Sequence, residues 1–185
     1  ATTGPDGSLT ARYEYDAATG EGVIRYSYTL QETTVGDDTS ASFPVVITDQ
    51  DNDSLPASNL LITIVDDQPR AVNDQGTVTE GDSLSVNATD GVLGNDNAGA
   101  DGWNGTGAVV GVEAGDTGTT SATGVATVIN GLYGTLTLNA DGSYTYVSTA
   151  NAVIADAVDV FTYTVRDADG DETTATLTIN VNDVT

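Results

Sequence analysis

Apolar and polar residues alternate with a period of two along most of the chain, and no segment shows the 3.6-residue period of an amphipathic helix. In SLTARYEY, for example, the apolar residues fall on one face of a strand and the polar residues on the other. The segments GVIRYSYTL, GTLTL, SYTYV and ATLTINV repeat this pattern, whereas FPVVIT and LLITIV are continuous apolar runs typical of buried strands. The pattern predicts an all-β fold of short antiparallel strands arranged as β-sandwiches.

An internal repeat divides the chain into two copies. GPDGSLTARYEY resembles NADGSYTYV, and FPVVITDQDNDSLPASNLLITIVDD resembles VFTYTVRDADGDETTATLTINVND. The boundary falls near Pro69, which predicts domains at residues 1–68 and 69–185. The first copy lacks the long segment that precedes the Asp-Gly turn of the second, and it holds an extra hairpin's worth of chain after that turn. Residues 1–68 are therefore predicted to be the C-terminal part of a sandwich, completed by upstream strands or by another chain.

The composition excludes several classes of function. The chain has 28 acidic and 4 basic residues, a formal net charge of −24, so a nucleic-acid or anionic-membrane partner is not expected. Cysteine and histidine are absent, which excludes disulfides, zinc sites built from Cys and His, thiol nucleophiles and Ser-His-Asp triads. No apolar run approaches the ~20 residues that a membrane-spanning helix needs.

Two acidic turns, DQDND and DADGD, predict calcium binding. Alternate residues of an extended chain point to one side, so Asp167, Asp169 and Asp171 can converge on one cation, with Gly170 permitting the turn. The alternative is a solvated acidic hairpin, because Asp and Gly are common in turns. Calcium is favoured because the turn occurs twice and each copy ends its next strand with a carboxylate. An EF-hand is not indicated, since the twelfth position is Thr178.

A family resemblance extends this interpretation. AVNDQGTVTEGDSLSVNATDGVLGND, YGTLTLNADGSYTYV and DVFTYTVRDADGDETTATLTINVND together resemble the cadherin-like or bacterial immunoglobulin-like repeats of giant RTX adhesins, including the VCBS repeats. SLTARYEYDAATGEGVIRYSYTL with ITIVDD resembles the end of a repeat found in targets of type I secretion. The resemblance implies tandem Ig-like, cadherin-like β-sandwiches, calcium at the domain joints, type I secretion, and adhesion or biofilm formation at the bacterial cell surface. The glycine-rich calcium nonapeptides of RTX proteins are absent from this sequence.

The topology of an Ig-like sandwich places the loop before the last strand at the N-terminal end of the domain, so the second acidic turn should face the joint between the two domains. The candidate calcium ligands at this joint are Asp66, Asp67, Asn73, Asp74, Glu80, Asp167, Asp169 and Asp171, together with Asp37 and Asp38 from a loop of the first domain. Three further candidate groups are Asp49, Asp51 and Asp53, facing a preceding domain; Asn95, Asp96 and Asp101, in a polar loop; and Asn182 with Asp183, which should begin the next joint, with Asn182 as the counterpart of Asp66.

These features predict a calcium-rigidified spacer of a bacterial surface adhesin, with neighbouring repeats of the same polypeptide as its partners and a surface ligand elsewhere in the parent protein. The alternative is a module that binds a glycan or a protein, through the partial first domain or through the loop that carries Trp103. An enzyme is not expected. Pairs of carboxylates could in principle hydrolyse glycosides, but nothing in the sequence distinguishes one pair from the many others.

Overall fold

The computed structural model describes residues 2–3, 7–31, 39–49 and 51–184. The chain forms two compact units, Ala1–Asp66 (unit 1) and Asp67–Thr185 (unit 2). Almost all regular structure is β-strand, with one short 3-10 turn at Val92–Gly94. The prediction of an all-β sandwich fold is confirmed.

Unit 1 contains two small antiparallel sheets. One has the order β1-β2-β3 and the other pairs β4 with β5. Their strands are β1 (Thr2–Thr3), β2 (Gly7–Asp16), β3 (Glu21–Leu30), β4 (Thr39–Val45) and β5 (Ser58–Ile64). The buried core is small: Leu9, Ala41 and Phe43, with Tyr28, Leu60 and Ile62 packed against them.

Unit 2 contains two four-stranded sheets, with the orders β7-β11-β10-β9 and β6-β13-β12-β8. Their strands are β6 (Asp74–Thr79), β7 (Ser83–Val86), β8 (Val109–Ala114), β9 (Ile129–Asn130), β10 (Gly134–Leu138), β11 (Tyr144–Ser148), β12 (Ala157–Arg166) and β13 (Glu172–Asn182). The inward residues of both sheets form one core, which includes Leu136 and Tyr146 from the first sheet and Phe161, Leu177 and Ile179 from the second. Strand β6 runs parallel to β13, and the other pairings are antiparallel.

The strand registers match the two units element by element. Leu9 pairs with Tyr28 across β2 and β3, as Leu136 pairs with Tyr146 across β10 and β11. The two tyrosines then make edge-to-face contacts with equivalent phenylalanines of the opposite sheet, and the ring centroids are 5.8 Å apart in unit 1 and 6.2 Å apart in unit 2. Strands β1 to β5 are therefore the counterparts of β9 to β13.

This match corrects the sequence alignment of the two copies. The alignment made β2 equivalent to β11 because each follows an Asp-Gly pair, whereas the registers make β3 equivalent to β11. Strands β2 and β3 each have 10 residues, against 5 in β10 and 5 in β11. The extra chain of the first copy is thus a longer hairpin, and its far end carries exposed side chains of Tyr13, Tyr15 and Ile24.

A glycine in each hairpin admits the core tyrosine. A Cβ atom on Gly134 would lie 2.5 Å from Cζ of Tyr146, and a Cβ atom on Gly7 would lie 2.8 Å from Cζ of Tyr28. Real Cβ atoms do not approach other atoms so closely. Both sandwiches therefore need glycine two residues before the leucine that pairs with the tyrosine.

The last strands also match, with a shift of one residue from the expected equivalence. Phe43 pairs with Leu60, and Phe161 pairs with Leu177. Counting forward from these pairs makes Asp66 equivalent to Asp183, not to Asn182 as the sequence alignment indicated.

Candidate metal centre

The acidic turn of unit 2 is built around Asp167. Its N–H donates to the carbonyl oxygen of Asp171 at 3.1 Å, and its Oδ1 accepts the N–H groups of Gly170 and Asp171 at 3.0 and 2.7 Å. Gly170 has φ 120°, a conformation that glycine adopts readily. Asp167 is only 1% exposed, and its buried Oδ2 has no hydrogen-bond partner among the described residues. Asp167 therefore holds the turn together while one buried carboxylate oxygen stays available.

The acidic turn of unit 1 repeats this local structure. The N–H of Asp49 donates to the carbonyl oxygen of Asp53 at 3.0 Å, and Oδ1 of Asp49 accepts the N–H of Asp53 at 2.9 Å. Asn52 occupies the position of Gly170 with φ 70°, which asparagine tolerates better than most residues. The hydrogen bond with Asp51 lowers the pKa of Asp49 below its usual range. The same backbone design thus underlies both turns.

A second loop brings Asp101 to the turn of unit 2. Oδ2 of Asp67 accepts the N–H of Ala100 at 2.7 Å, and a Cβ atom on Gly99 would collide with the same carboxylate. One residue further on, the carbonyl oxygen of Gly102 accepts the N–H of Ala168 at 2.9 Å. These contacts fix Asp101 between two anchored segments of backbone.

Three carboxylates converge at this point. Asp66, which precedes the first residue of unit 2, joins Asp101 and Asp169, and one carboxylate oxygen from each lies within 4.8 Å of the other two. All three side chains are half-buried. Calcium ligands lie 2.3–2.6 Å from the ion, so two ligand oxygens of one ion are at most about 5 Å apart. The spacing of the three oxygens fits a calcium ion.

A second group of carboxylates lies in unit 1. Oxygens of Asp49, Asp51 and Asp53 also lie within 4.8 Å of one another, but all three side chains are exposed. The predicted D-x-D-x-D convergence is therefore found in this turn. In the turn of unit 2, only Asp169 joins the triad.

Two other predicted joint residues, Asn73 and Asp74, and Asp96 of the polar loop make hydrogen bonds within unit 2. Oδ1 of Asn73 accepts the N–H of Thr176 at 3.0 Å, which attaches the start of β6 to β13. Asp74 and Asp96 both face the hydroxyl group of Tyr163, at 2.9 Å from Oδ2 of Asp74 and 3.2 Å from Oδ2 of Asp96. Oδ1 of Asp96 also accepts the N–H of Val72 at 2.7 Å.

The loop at residues 95–101 therefore does not form one cluster, contrary to expectation. Asp96 turns toward Tyr163, and Asp101 joins Asp66 and Asp169. Asn95 contributes a long hydrogen bond, 3.5 Å, to the carbonyl oxygen of Asn73.

Glu80 lies at the end of unit 2 opposite to the expected one. Strand β6 runs parallel to β13, so Asp74 pairs with Leu177 while Thr79 pairs with Asn182. Glu80 lies six positions after Asp74 along the chain, a distance of about 20 Å at ~3.3 Å per residue. Glu80 therefore lies beside the C-terminal end of β13, where its N–H donates to the carbonyl oxygen of Asn182 at 3.0 Å.

Three acidic residues meet at this C-terminal end. Oε1 of Glu80 accepts the N–H of Val184 at 3.3 Å, and Oδ1 of Asp156 accepts the N–H of Asp183 at 3.0 Å. Partial burial, followed by the charges of Glu80 and Asp156, raises the pKa of Asp183. Asp156 was missed by sequence reasoning, although it directly precedes β12 as Asp38 directly precedes β4. Asp37 and Asp38 themselves lie outside the described residues.

The pair formed by Asp74 and Asp96 predicts a pH dependence. Burial, followed by the charge of Asp96, raises the pKa of Asp74 to about 6, although the hydroxyl of Tyr163 opposes the shift. Because the folded pKa lies above the unfolded one, the folded state binds the extra proton. Stability from this proton is complete below about pH 4 and is lost as the pH rises through 6. The melting temperature of unit 2 in EDTA should therefore fall between pH 4.5 and 7.

Asp74→Asn is the test of this pH dependence, because the amide imitates the protonated acid. The variant should melt at a temperature equal to or above that of the wild type at pH 7, with a smaller fall between pH 4.5 and 7. A control, Asp116→Asn, removes an exposed charge and should keep the wild-type fall. An unchanged fall in Asp74→Asn would assign the pH dependence to the net charge of the whole chain.

Comparison with known proteins places the chain in a family. A family model described as bacterial cadherin-like domain matches residues 66–183. The match begins and ends at Asp66 and Asp183, the two residues that the strand registers make equivalent. No curated protein matches the chain. Among the described residues, no helix has the length and apolar character needed to cross a membrane.

Proposed function

Because the chain belongs to the bacterial cadherin-like domain family, whose members are adhesion-type modules of extracellular proteins, we propose that it is a calcium-rigidified spacer of a bacterial surface adhesin. In this proposal the chain holds a binding module away from the cell and contributes to adhesion or biofilm formation. Its partners are neighbouring repeats of the same polypeptide, and type I secretion carries it outside. Its role is mechanical, and we propose no catalytic residues.

The convergence of Asp66, Asp101 and Asp169 is the observation that carries this proposal. These residues come from three separate segments, so one ion bound by all three would hold Asp66, the first residue of the family match, to two loops of unit 2. When bound, calcium would supply positive charge to carboxylates that otherwise repel one another. We infer that the residue linking the two units then loses conformational freedom, and that the chain stiffens.

The size of the stabilisation by calcium follows from the thermodynamic linkage between calcium binding and the ordered state. Extracellular calcium modules bind with Kd of about 10⁻⁴–10⁻³ M. Calcium at tens of times Kd adds roughly 2 kcal/mol to the stability of the state that binds it. The low calcium concentration of a cytosol would leave such a site empty. The spacer would therefore stay flexible before export and stiffen outside the cell.

Small-angle scattering and thermal melting, in EDTA and then in millimolar calcium, test the spacer proposal. Calcium should raise the melting temperature and lengthen the particle. The triple variant D66N/D101N/D169N keeps side-chain size but removes the anionic oxygens, so it should lose both responses. The control Asp116→Asn should keep them. If the wild-type protein changes neither shape nor melting temperature with calcium, the triad is a solvated acidic surface and the proposal fails.

Unit 1 favours a second candidate function, ligand binding. A cavity of about 960 Å³ is lined by Tyr13, Tyr15, Ile24, Val46, Ile47, Thr48 and Asp49. Exposed aromatic rings stack on sugars, and a neighbouring carboxylate can accept hydrogen bonds from hydroxyl groups. A glycan array separates the two functions: a spacer binds none of the glycans, whereas a glycan-binding module binds a defined subset and loses it in Tyr13→Ala.

A further inference from the structure

Unit 1 has open strand edges where unit 2 has paired ones. In unit 2, β7 pairs with β11 and β6 pairs with β13, so the strand–turn–strand segment 74–86 closes one side of the sandwich. The counterparts of β11 and β13 are β3 and β5. Within residues 2–3, 7–31, 39–49 and 51–66, nothing pairs with the outer edge of either strand. Unpaired edges beside an apolar face are sites for strand addition.

The burial of equivalent residues shows what this difference leaves uncovered. Tyr144 of β11 is 5% exposed, whereas its counterpart in β3, Tyr26, is 55% exposed. The registers match the two residues, since each lies two positions before the tyrosine of the core. The uncovered face of unit 1 is therefore the face that segment 74–86 covers in unit 2.

Gly76 shows how closely the covering segment fits. A Cβ atom on Gly76 would lie 2.7 Å from Cδ2 of Leu84, 2.9 Å from Cδ1 of Ile179 and 3.0 Å from the hydroxyl oxygen of Tyr144. The third residue of the first strand must therefore be glycine, because the tyrosine and the isoleucine occupy the space. Unit 1 offers the same two side chains, Tyr26 and Ile62, at the equivalent positions.

We propose that the open side of unit 1 binds a strand–turn–strand segment of the 74–86 type, supplied by a neighbouring repeat. The first strand of this segment runs parallel to β5, and its glycine lies over Tyr26. The second strand runs antiparallel to β3. By the registers of unit 2, its first strand pairs with residues 60–65 and its second strand with residues 26–29. Strand pairing and apolar burial carry this inference, and it does not depend on calcium.

A second copy of the whole chain fits this side less well. Each copy carries a formal net charge of −24, so two copies repel one another at low ionic strength. In addition, segment 74–86 of a second copy is already paired within its own unit 2. A covalently linked repeat instead benefits from a high effective concentration.

The test uses the full chain and a labelled peptide, AVNDQGTVTEGDSLSVNA, which has the sequence of residues 71–88. Fluorescence anisotropy measures binding up to about 1 mM, the weak end of specific association. Hydrogen–deuterium exchange then maps the protected residues. We expect protection at 26–29 and 60–65. A peptide with Val in place of the residue matching Gly76 should bind at least tenfold more weakly.

Two matched variants of the chain distinguish binding at the proposed face from non-specific binding of the peptide. Tyr26→Asp places a charge under the segment and should weaken binding at least tenfold. Leu55→Asp changes a similarly exposed apolar side chain, 62% against 55%, ahead of β5, and should leave binding unchanged. Both side chains are exposed, so both variants should keep the fold.

Three results would overturn the proposal. The first is a pair of negative results. The free peptide does not bind the chain, and the melting temperature of unit 1 does not rise when the same segment is fused ahead of residue 1 through a Gly/Ser linker. The second is protection confined to residues 144–147 and 177–182, which would mean exchange into unit 2. The third is protection of 26–29 and 60–65 without peptide, in a dimer that forms at high chain concentration, which would make a second copy the occupant.

Discussion

Replacing Asp159 by alanine is expected to lower the stability of unit 2 by about 3–5 kcal/mol, because it leaves one buried and two partly buried donors without an acceptor. Asp159 is 1% exposed. Its carboxylate accepts the N–H of Leu132 at 2.7 Å, the N–H of Tyr133 at 3.1 Å and the hydroxyl group of Tyr146 at 2.5 Å. These bonds join β12 to the opposite sheet, so the loss affects the whole sandwich.

Urea unfolding followed by tryptophan fluorescence measures this loss for unit 2 alone. Trp103 is the single tryptophan of the sequence and packs against the core of unit 2. Asp159→Asn keeps one acceptor oxygen and should lose less than the alanine variant. Tyr146→Phe removes one of the three donors and should cost about 1 kcal/mol. A loss below 1 kcal/mol in Asp159→Ala would show that water replaces the carboxylate and that the network contributes little.

The equivalent strands of unit 1 have no carboxylate at the position of Asp159. The counterpart of Asp159 is Ala41, and the hydroxyl group of Tyr28 is buried without a hydrogen-bond partner among the described residues. A buried unpaired hydroxyl costs about 1–3 kcal/mol. The two repeats thus share a backbone design but differ in how well their polar groups are satisfied.

Local signals in the sequence predicted the strands and both acidic turns. Period-two alternation is a direct consequence of burying one face of a strand, and it located β2, β3, β10, β11 and β13. The turn residues at Asp49 and Asp167 were found because aspartate and glycine favour this backbone wherever it occurs. The convergence of Asp66 with Asp169 followed from the topology of Ig-like sandwiches.

Information that depends on pairing between distant segments could not be read from the sequence. Two Asp-Gly pairs have the same turn chemistry, yet they lie at different places in the two repeats, so the alignment joined the wrong strands. Glu80 lies at the far end because β6 is parallel to β13, and six residues of sequence do not reveal that direction. Asp96 and Asp101 lie in different clusters because Asp96 accepts a hydrogen bond from Tyr163, whereas Asp101 lies next to Asp169 of the acidic turn.

The same substitution in the two repeats should have different consequences. Phe161 is fully buried beside Tyr146, in a core of sixteen buried residues. Phe161→Ala should cost unit 2 about 3–5 kcal/mol and leave it folded at low temperature. Phe43 occupies the equivalent place in unit 1, where the buried cluster among the described residues has three members, Leu9, Ala41 and Phe43. Since a small core leaves little stability to lose, Phe43→Ala should unfold unit 1 completely.

Hydrogen–deuterium exchange of β4 and β5 reports on unit 1, and the fluorescence of Trp103 reports on unit 2. Leu61→Ala, which truncates a side chain that is 61% exposed, is the control and should change the stability by less than 1 kcal/mol. Phe43→Ala should abolish protection in β4 and β5 while the melting of unit 2 stays unchanged. If protection in unit 1 survives, the stability of unit 1 does not depend on its small core. The β2–β3 hairpin would then be its main source of stability, and closing the open side would add little to it.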